Sequence, residues 1–506
     1  MSKNLFIKGI FFSYTRQILQ LILGIASLPL MLNYFGTVNY SILALTFGLS
    51  EYLALVSFGI PAAMVTLVAN ASDAKQKCLI LHKSAKALFI ISIMSILLFL
   101  AVITTGDQWI VYFLGNIGNE SEELAKTVFI YFTLGTLAKI PISLFVNFFR
   151  GMNDTYISEI YQILFLLFNF LSLLIAVYFK LNLVNYIKII FMLMITVSVI
   201  AVIHVNIKYD YLFSVTQCIK EVSYISIFKS SFSFFQVGLS VAIIWGTDNL
   251  VISHFLSVQE ITPYAIAFKI FMYTFMFSAI INGVISPMYG MAQANNDWNK
   301  IRNYTMLIHK ILPTFGALVW ISFILFGKEI IIFWTHKEEA FGGYLLMFSL
   351  GLYGYIVSFV NTYSTLVNSL NFAQKSLKIV WGEALLNFIL SILLVQFFNI
   401  GGVALATALA SFMVSFILFP KLIKKITNEK IVYEYTYARK TFFFFVLPFV
   451  MISMLVVRID VFYKMIIFLF MLFSFLIVGW KLLSQDDRKI LLNLFGSKKP
   501  NFFWCS

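Results

Sequence analysis

Apolar runs of about 20 residues recur along the whole chain, and short segments rich in lysine and arginine separate them. A helix rises about 1.5 Å per residue, so each run is long enough to cross roughly 30 Å of hydrocarbon. The runs are continuous rather than alternating in polarity, which excludes a transmembrane β-barrel. The pattern predicts an all-α polytopic membrane protein with about 14 transmembrane helices. They are expected near residues 12–34, 41–66, 85–104, 125–149, 159–179, 184–206, 230–256, 262–287, 308–327, 342–369, 378–398, 401–420, 441–457 and 464–480. The second, seventh and eighth of these carry polar or charged residues.

Composition agrees with the pattern. Hydrophobic residues make up 61% of 506 positions and charged residues 11%, where a soluble domain carries about a quarter charged. The formal net charge of +14 raises nucleic acid as a partner, but the placement of the charges excludes it. With the N-terminus inside, 27 of the 36 lysines and arginines fall in cytoplasmic segments and five in outer ones. That asymmetry follows the positive-inside rule and sets both termini in the cytoplasm. Lys3, Lys8 and Arg16 precede the first apolar run with no small-residue cleavage site after it, so a retained helix is expected. Cys78, Cys218 and Cys505 are far apart and lack metal or redox spacing. No loop is long enough for a soluble catalytic domain, so function must reside in the bundle.

A weak internal repeat is legible. "NYFGTVNYSILAL" from Asn33 matches "SHFLSVQEITPYAIAFK" from Ser253, pairing Phe35 with Phe255 and Val38 with Val258. "VNFFRGMND" from Val146 matches "VNSLNFAQK" from Val367 at nearly the same offset. An offset of six helices preserves orientation, which implies two parallel six-helix lobes enclosing a substrate path. The lobes are expected at 1–207 and 208–425, with 426–506 as an appended helix pair and cytoplasmic tail.

Ionisable residues inside hydrocarbon cost about 2.5 kcal/mol or more, so they face the bundle interior or a wet cavity. The candidates are Arg16, Glu51, Lys139, Glu159, Asp248, Lys269 and Glu383. Gln20, Gly24 and Ser27 share a face with Arg16; Gly135, Thr136, Ser143 and Asn147 surround Lys139; Asn387 follows Glu383 by one turn. Asn361, Ser364 and Asn368 form a polar stripe on the tenth helix. Small and polar neighbours suit an interior, cavity-lining face. Blander roles compete: Arg16 and Glu159 lie near helix ends and could snorkel, and Lys139 could pair with a carboxylate of a neighbouring helix. Trp109, Trp334 and Trp480 suit interfacial anchors.

The segments "LPLMLNYFGTVNYSILAL", "EYLALVSFGIPAAMV", "KIPISLFVNFFRGMND", "TDNLVISHF", "YAIAFKIF" and "NIGGVALATALASF" span most of the chain. In them it resembles the polysaccharide-exporter branch of the multidrug/oligosaccharidyl-lipid/polysaccharide superfamily, in particular the Wzx-type O-antigen flippases. The resemblance implies passage of undecaprenyl-diphosphate-linked oligosaccharides across the bacterial inner membrane by alternating access. It implies a lipid-linked oligosaccharide as substrate, the bilayer and other polysaccharide-assembly membrane proteins as partners, and no catalysis. On that basis Arg16, Lys139, Arg150 and Lys269 are expected at the anionic head. Glu51, Asp248 and Glu383 are expected to couple H+ or Na+, with no other cofactor. The alternatives are a lipid II flippase or a cation-coupled drug exporter of the same superfamily, and a membrane-embedded polymerase. A polymerase predicts a long outer loop with basic and acidic residues, whereas the segment 105–124 holds Asp107, Glu120, Glu122 and Glu123 but no arginine.

Overall fold

A computed structural model describes residues 3–71, 73–104, 115, 119–211, 223–370, 372–432 and 441–482. Among these residues every regular element is helical. The helices are α1 (Lys3–Gly48), α2 (Ser50–Ala54), α3 (Ile60–Asn70), α4 (Ala74–Thr104), α5 (Asn119–Gly151), α6 (Thr155–Tyr178), α7 (Leu183–Tyr209) and α8 (Tyr224–Val241). There follow α9 (Thr247–Phe255), α10 (Ile261–Ala294), α11 (Trp298–Thr335), α12 (Tyr344–Ser369), α13 (Ala373–Ala410), α14 (Ile417–Ile426), α15 (Leu447–Val456) and α16 (Val461–Leu482).

Ten helical stretches among the described residues are long and apolar enough to cross a membrane. Their outward faces are apolar: Met94, Leu97 and Leu98 on α4 and Ile200, Ile203 and Ile207 on α7 are exposed at helical spacing. Such stripes cost free energy in water and none in lipid. The chain is a multi-pass membrane protein.

Breaks within the long stretches follow local chemistry. Gly36 takes φ 82° inside α1, a conformation glycine adopts without the Cβ clash other residues meet. Asn399 takes φ 50° inside α13, which asparagine tolerates better than most residues. The single helix expected at 41–66 is instead three pieces. Phe58 and Gly59 are both left-handed and Pro61 stands in the first turn of α3. A Cβ on Gly59 would lie 2.6 Å from the Ser231 carbonyl oxygen, so the chain must turn there on glycine.

The residues form two compact units. Unit 1 comprises 1–265, 334–340 and 395–403; unit 2 comprises 266–333, 341–394 and 404–506. Unit 1 has a core in which Met64, Val68, Leu81, Leu144, Phe148, Phe149 and Val205 meet. Unit 2 has a core of Tyr289, Leu312, Trp320, Phe359 and Tyr363, onto which Val450, Met471 and Phe475 of the last two helices and Val446 just before them pack. Lys464 on α16 is 2% exposed and donates to Glu329 on α11 at 2.6 Å, tying the last helix to the rest of unit 2.

Candidate functional site

In unit 1 two cations converge on one carboxylate. Arg16 on α1 donates through Nε to Glu159 Oε2 at 2.7 Å, and Arg150 at the end of α5 donates through Nη2 to Glu159 Oε1 at 2.9 Å. Glu159 is 4% exposed. The turn between α5 and α6 makes this possible. Asn153 is left-handed and the Asp154 N–H closes back on the Phe149 carbonyl at 2.8 Å, in the manner of a helix C-cap. That reversal sets Arg150 beside Glu159, nine residues on. The Arg16 guanidinium also reaches Gln20 at 3.3 Å, the neighbour expected one turn away. Arg16 is thus ion-paired rather than merely reaching for the interface. Asp154 binds Lys208 at 2.7 Å and accepts from the Tyr209 hydroxyl. Neither Asp154 nor Lys208 was singled out from sequence; their partnership depends on a turn that no local spacing announces.

Lys139 on α5 is half-buried. Its ammonium lies 3.3 Å from the Met194 sulfur and 5.0 Å from the centre of the Phe165 ring. Among the described residues no carboxylate pairs with it, so the structural ion pair weighed for it is absent there. The polar neighbours expected around it serve their own helix: Ser143 donates to the Ile140 carbonyl and Asn147 to that of Ser143. Lys269 on α10, in unit 2, is half-buried and likewise has no ion-pair partner among the described residues.

Asp248 follows a wide π-type turn at Ala242–Gly246. Such turns often mark functional positions. The aspartate is 1% exposed. One oxygen accepts from the Tyr264 hydroxyl at 2.5 Å, and the other is buried with no hydrogen-bond partner among the described residues. Its partner is a phenol and not one of the four expected cations. The Glu51 side chain lies outside the described residues.

Unit 2 holds a different polar arrangement. The chain reverses at Asn399, and two rows of polar side chains then face each other. Glu383, Asn387 and Ser391 recur every four residues before the turn, and Thr407, Ser411 and Ser415 every four residues after it. All six are buried. The Glu383 carboxylate accepts from Ser415, Asn387 donates to Thr407 at 3.0 Å, and Ser391 donates to Asn387 at 3.1 Å. Only Glu383 and Asn387 were picked out from sequence. The four hydroxyl residues were legible as an i, i+4 series on both sides of Asn399.

The stripe on α12 is less coherent than expected. Asn361 reaches Ser278 at 3.5 Å, Ser364 is half-buried and Asn368 is exposed. It is the adjacent Ser369 that bonds across, to Ser286 at 2.8 Å.

Comparison with known proteins adds four findings. A Salmonella typhimurium (strain LT2) protein whose name assigns it O-antigen transport is 29% identical over 159 residues, 31% of this chain. The match spans 36% of that relative's length. An inward-facing multidrug resistance MATE transporter of the MOP superfamily superposes with TM-score 0.71 at 15% identity, over 83% of this chain and 99% of its own. The lipid II flippase MurJ, inward closed, superposes with TM-score 0.66 at 15% identity, over 96% and 100%. At that identity the two structures establish a shared fold. The model of the polysaccharide biosynthesis protein family matches residues 6–293, more than half of the sequence, and the chain belongs to that family.

Proposed function

We propose that the chain is a flippase that moves undecaprenyl-diphosphate-linked oligosaccharide repeat units from the cytoplasmic to the periplasmic leaflet of the bacterial inner membrane by alternating access. The repeat units are O-antigen or a similar surface polysaccharide. The family match, the name of the Salmonella relative and the shared fold support this reading. The observation that carries it is Lys139, an ammonium in a membrane-spanning helix whose neighbours are a thioether and an aromatic face. A cation placed so is costly unless an anion visits it. A diphosphate head group meets that need, while the prenyl chain stays in lipid. Arg16, Arg150 and Lys269 are the further contacts to the head, and the N–H groups that Arg16 and Arg150 do not spend on Glu159 are available to phosphate oxygens. Asp248 and Glu383, with Glu51, couple the step to H+ or Na+.

Fourteen crossings with both termini in the cytoplasm complete the reading. Dividing the ten long stretches at Gly36 and Asn399 and adding the last helix pair supports that number. Left-handed turn residues recur at 219-residue spacing, Lys180 with Asn399 and Asp210 with Glu429, which supports two six-helix repeats. A strain lacking the chain should lose surface polysaccharide and accumulate cytoplasm-facing lipid-linked repeat units. Units that reach the outer face but stay unpolymerised would sink the flippase reading in favour of a polymerase.

A further inference from the structure

One end of unit 2 carries a run of cations. Lys421, Lys424, Lys425 and Lys430 fall within ten residues, and Glu429 is the one acid among them. That acid is spent on Lys424, at 3.2 Å. Lys421, Lys425 and Lys430 are exposed and have no ion-pair partner among the described residues. Lysines that only follow the positive-inside rule need no fixed geometry. Here the backbone and one aromatic ring fix it.

The short helix α14 is sharply two-sided. Phe419, Pro420 and Ile423 are buried, and Phe419 and Ile423 join the core of unit 2. Ile417, Lys421 and Lys425 recur every four residues and so share the outward face. Ile417 and Leu418 are each 38% exposed, which leaves apolar surface one to two turns before the lysines. A tight turn then follows. Asn428 and Glu429 are left-handed, and the Glu429 N–H closes on the Lys424 carbonyl at 2.9 Å, in the manner of a helix C-cap. The buried Thr427 hydroxyl accepts from the Ile431 N–H at 3.3 Å, and Ile431 returns to the core. Lys430, between the two, is thereby fixed. Its ammonium lies 4.7 Å from the centre of the Trp298 ring, an attraction between cation and aromatic face. Trp298 opens α11, so the start of α11 and the end of α14 lie together. A tryptophan at a helix end suits the membrane interface.

We propose that this end of unit 2 binds the head group of an anionic phospholipid, with its phosphate between Lys425 and Lys430 beside Trp298 and an acyl chain along Ile417 and Leu418. Unpaired lysines clustered just beyond a membrane helix attract anionic head groups. The exposed apolar residues before them shelter a chain from water. The transported diphosphate is a poorer fit: its expected contacts, such as Lys139, are half-buried inside the bundle, whereas these cations face outward, where lipids of the surrounding membrane exchange. The site goes beyond the flippase reading and does not depend on it.

The test uses the purified full-length protein in detergent, titrated with phosphatidylglycerol or with phosphatidylcholine of the same chains. A ligand that binds the folded state raises the unfolding midpoint. Phosphatidylglycerol should raise it by about 3 °C or more, and phosphatidylcholine by much less. The double variant Lys425→Gln with Lys430→Gln should weaken the apparent affinity for phosphatidylglycerol by about fivefold or more. Lys75→Gln with Lys229→Gln removes two exposed lysines of unit 1 and should leave that affinity nearly unchanged. Equal losses in the two double variants overturn the site and leave only the general attraction of a cationic surface. Should the first double variant fail to fold, Lys430→Gln alone decides: a loss of about twofold or more supports the site, and wild-type affinity overturns it. Farnesyl diphosphate is the third probe. If it displaces phosphatidylglycerol from the wild type, and its own stabilisation disappears in the Lys425→Gln, Lys430→Gln variant, the phospholipid is the wrong occupant.

Discussion

Unit 1 and unit 2 place polar groups inside a membrane bundle with a different balance of ion pairs and neutral hydrogen bonds. Unit 1 gathers formal charge: two arginines from α1 and α5 share Glu159, and a second carboxylate, Asp154, takes Lys208. The Arg16–Glu159–Arg150 group retains one net positive charge. Among the described residues unit 2 has one such pair with a buried member, Lys464 with Glu329, and also a row of hydroxyls and an amide around one carboxylate, Glu383. Ion pairs are strong in low dielectric but leave a large penalty when one partner goes. A ladder of neutral groups is worth about 1 kcal/mol per bond and degrades gradually. The comparison teaches that the two arginines sharing one buried carboxylate lie in unit 1, and that a fully buried row of hydroxyls and an amide around Glu383 lies in unit 2.

The largest effect should come from Glu159. Glu159→Gln leaves two guanidinium groups facing each other without a counter-charge. A loss of about 2–4 kcal/mol is expected, below the top of the range for buried pairs because both arginines are partly exposed. Membrane abundance should fall severely, and adding Arg150→Gln should restore part of it. If Glu159→Gln accumulates like wild type, the contrast between the units is broken.

Next in size is the unit 2 row. Asn387→Leu removes both a donor to Thr407 and the acceptor for Ser391, at a cost of about 2–3 kcal/mol. Glu383→Gln keeps an oxygen for Ser415 and should cost only about 1 kcal/mol. Unfolding midpoints of the two variants rank them. On the coupling proposal, Glu383→Gln also flattens the dependence of transport on pH or sodium, which assays in everted vesicles can follow.

Lys139→Met separates stability from function. With no carboxylate partner among the described residues, the ammonium gives little to folding, so the stability should stay within about 1 kcal/mol of wild type or rise. Complementation of surface polysaccharide should nevertheless drop at least fivefold. An equal loss of abundance and function would assign Lys139 a packing role. The smallest effect belongs to Asn368→Ala: the side chain is exposed, and a change under about 0.5 kcal/mol is expected. A larger one would restore the α12 stripe as a structural feature.

The sequence by itself determined the class. Apolar runs of spanning length cannot be housed in a soluble fold, and ten helical stretches long and apolar enough to cross a membrane are present among the described residues, although the run at 41–66 is broken into three pieces. The importance of buried charges was legible because charge in hydrocarbon is rare and expensive. Arg16 with Gln20 was readable too, since four residues on a helix is a fixed geometry. What only the tertiary structure decided is who meets whom. Arg16 and Glu159 are 143 residues apart, Trp334 and Ile25 are 309 apart, and no local period encodes either contact. The split at Phe58 and Gly59 was also hidden, because the hydropathy of 41–66 hardly changes where the backbone turns. Hydropathy reports the medium a segment tolerates; the choice among polar partners within that medium depends on distances set when the helices pack.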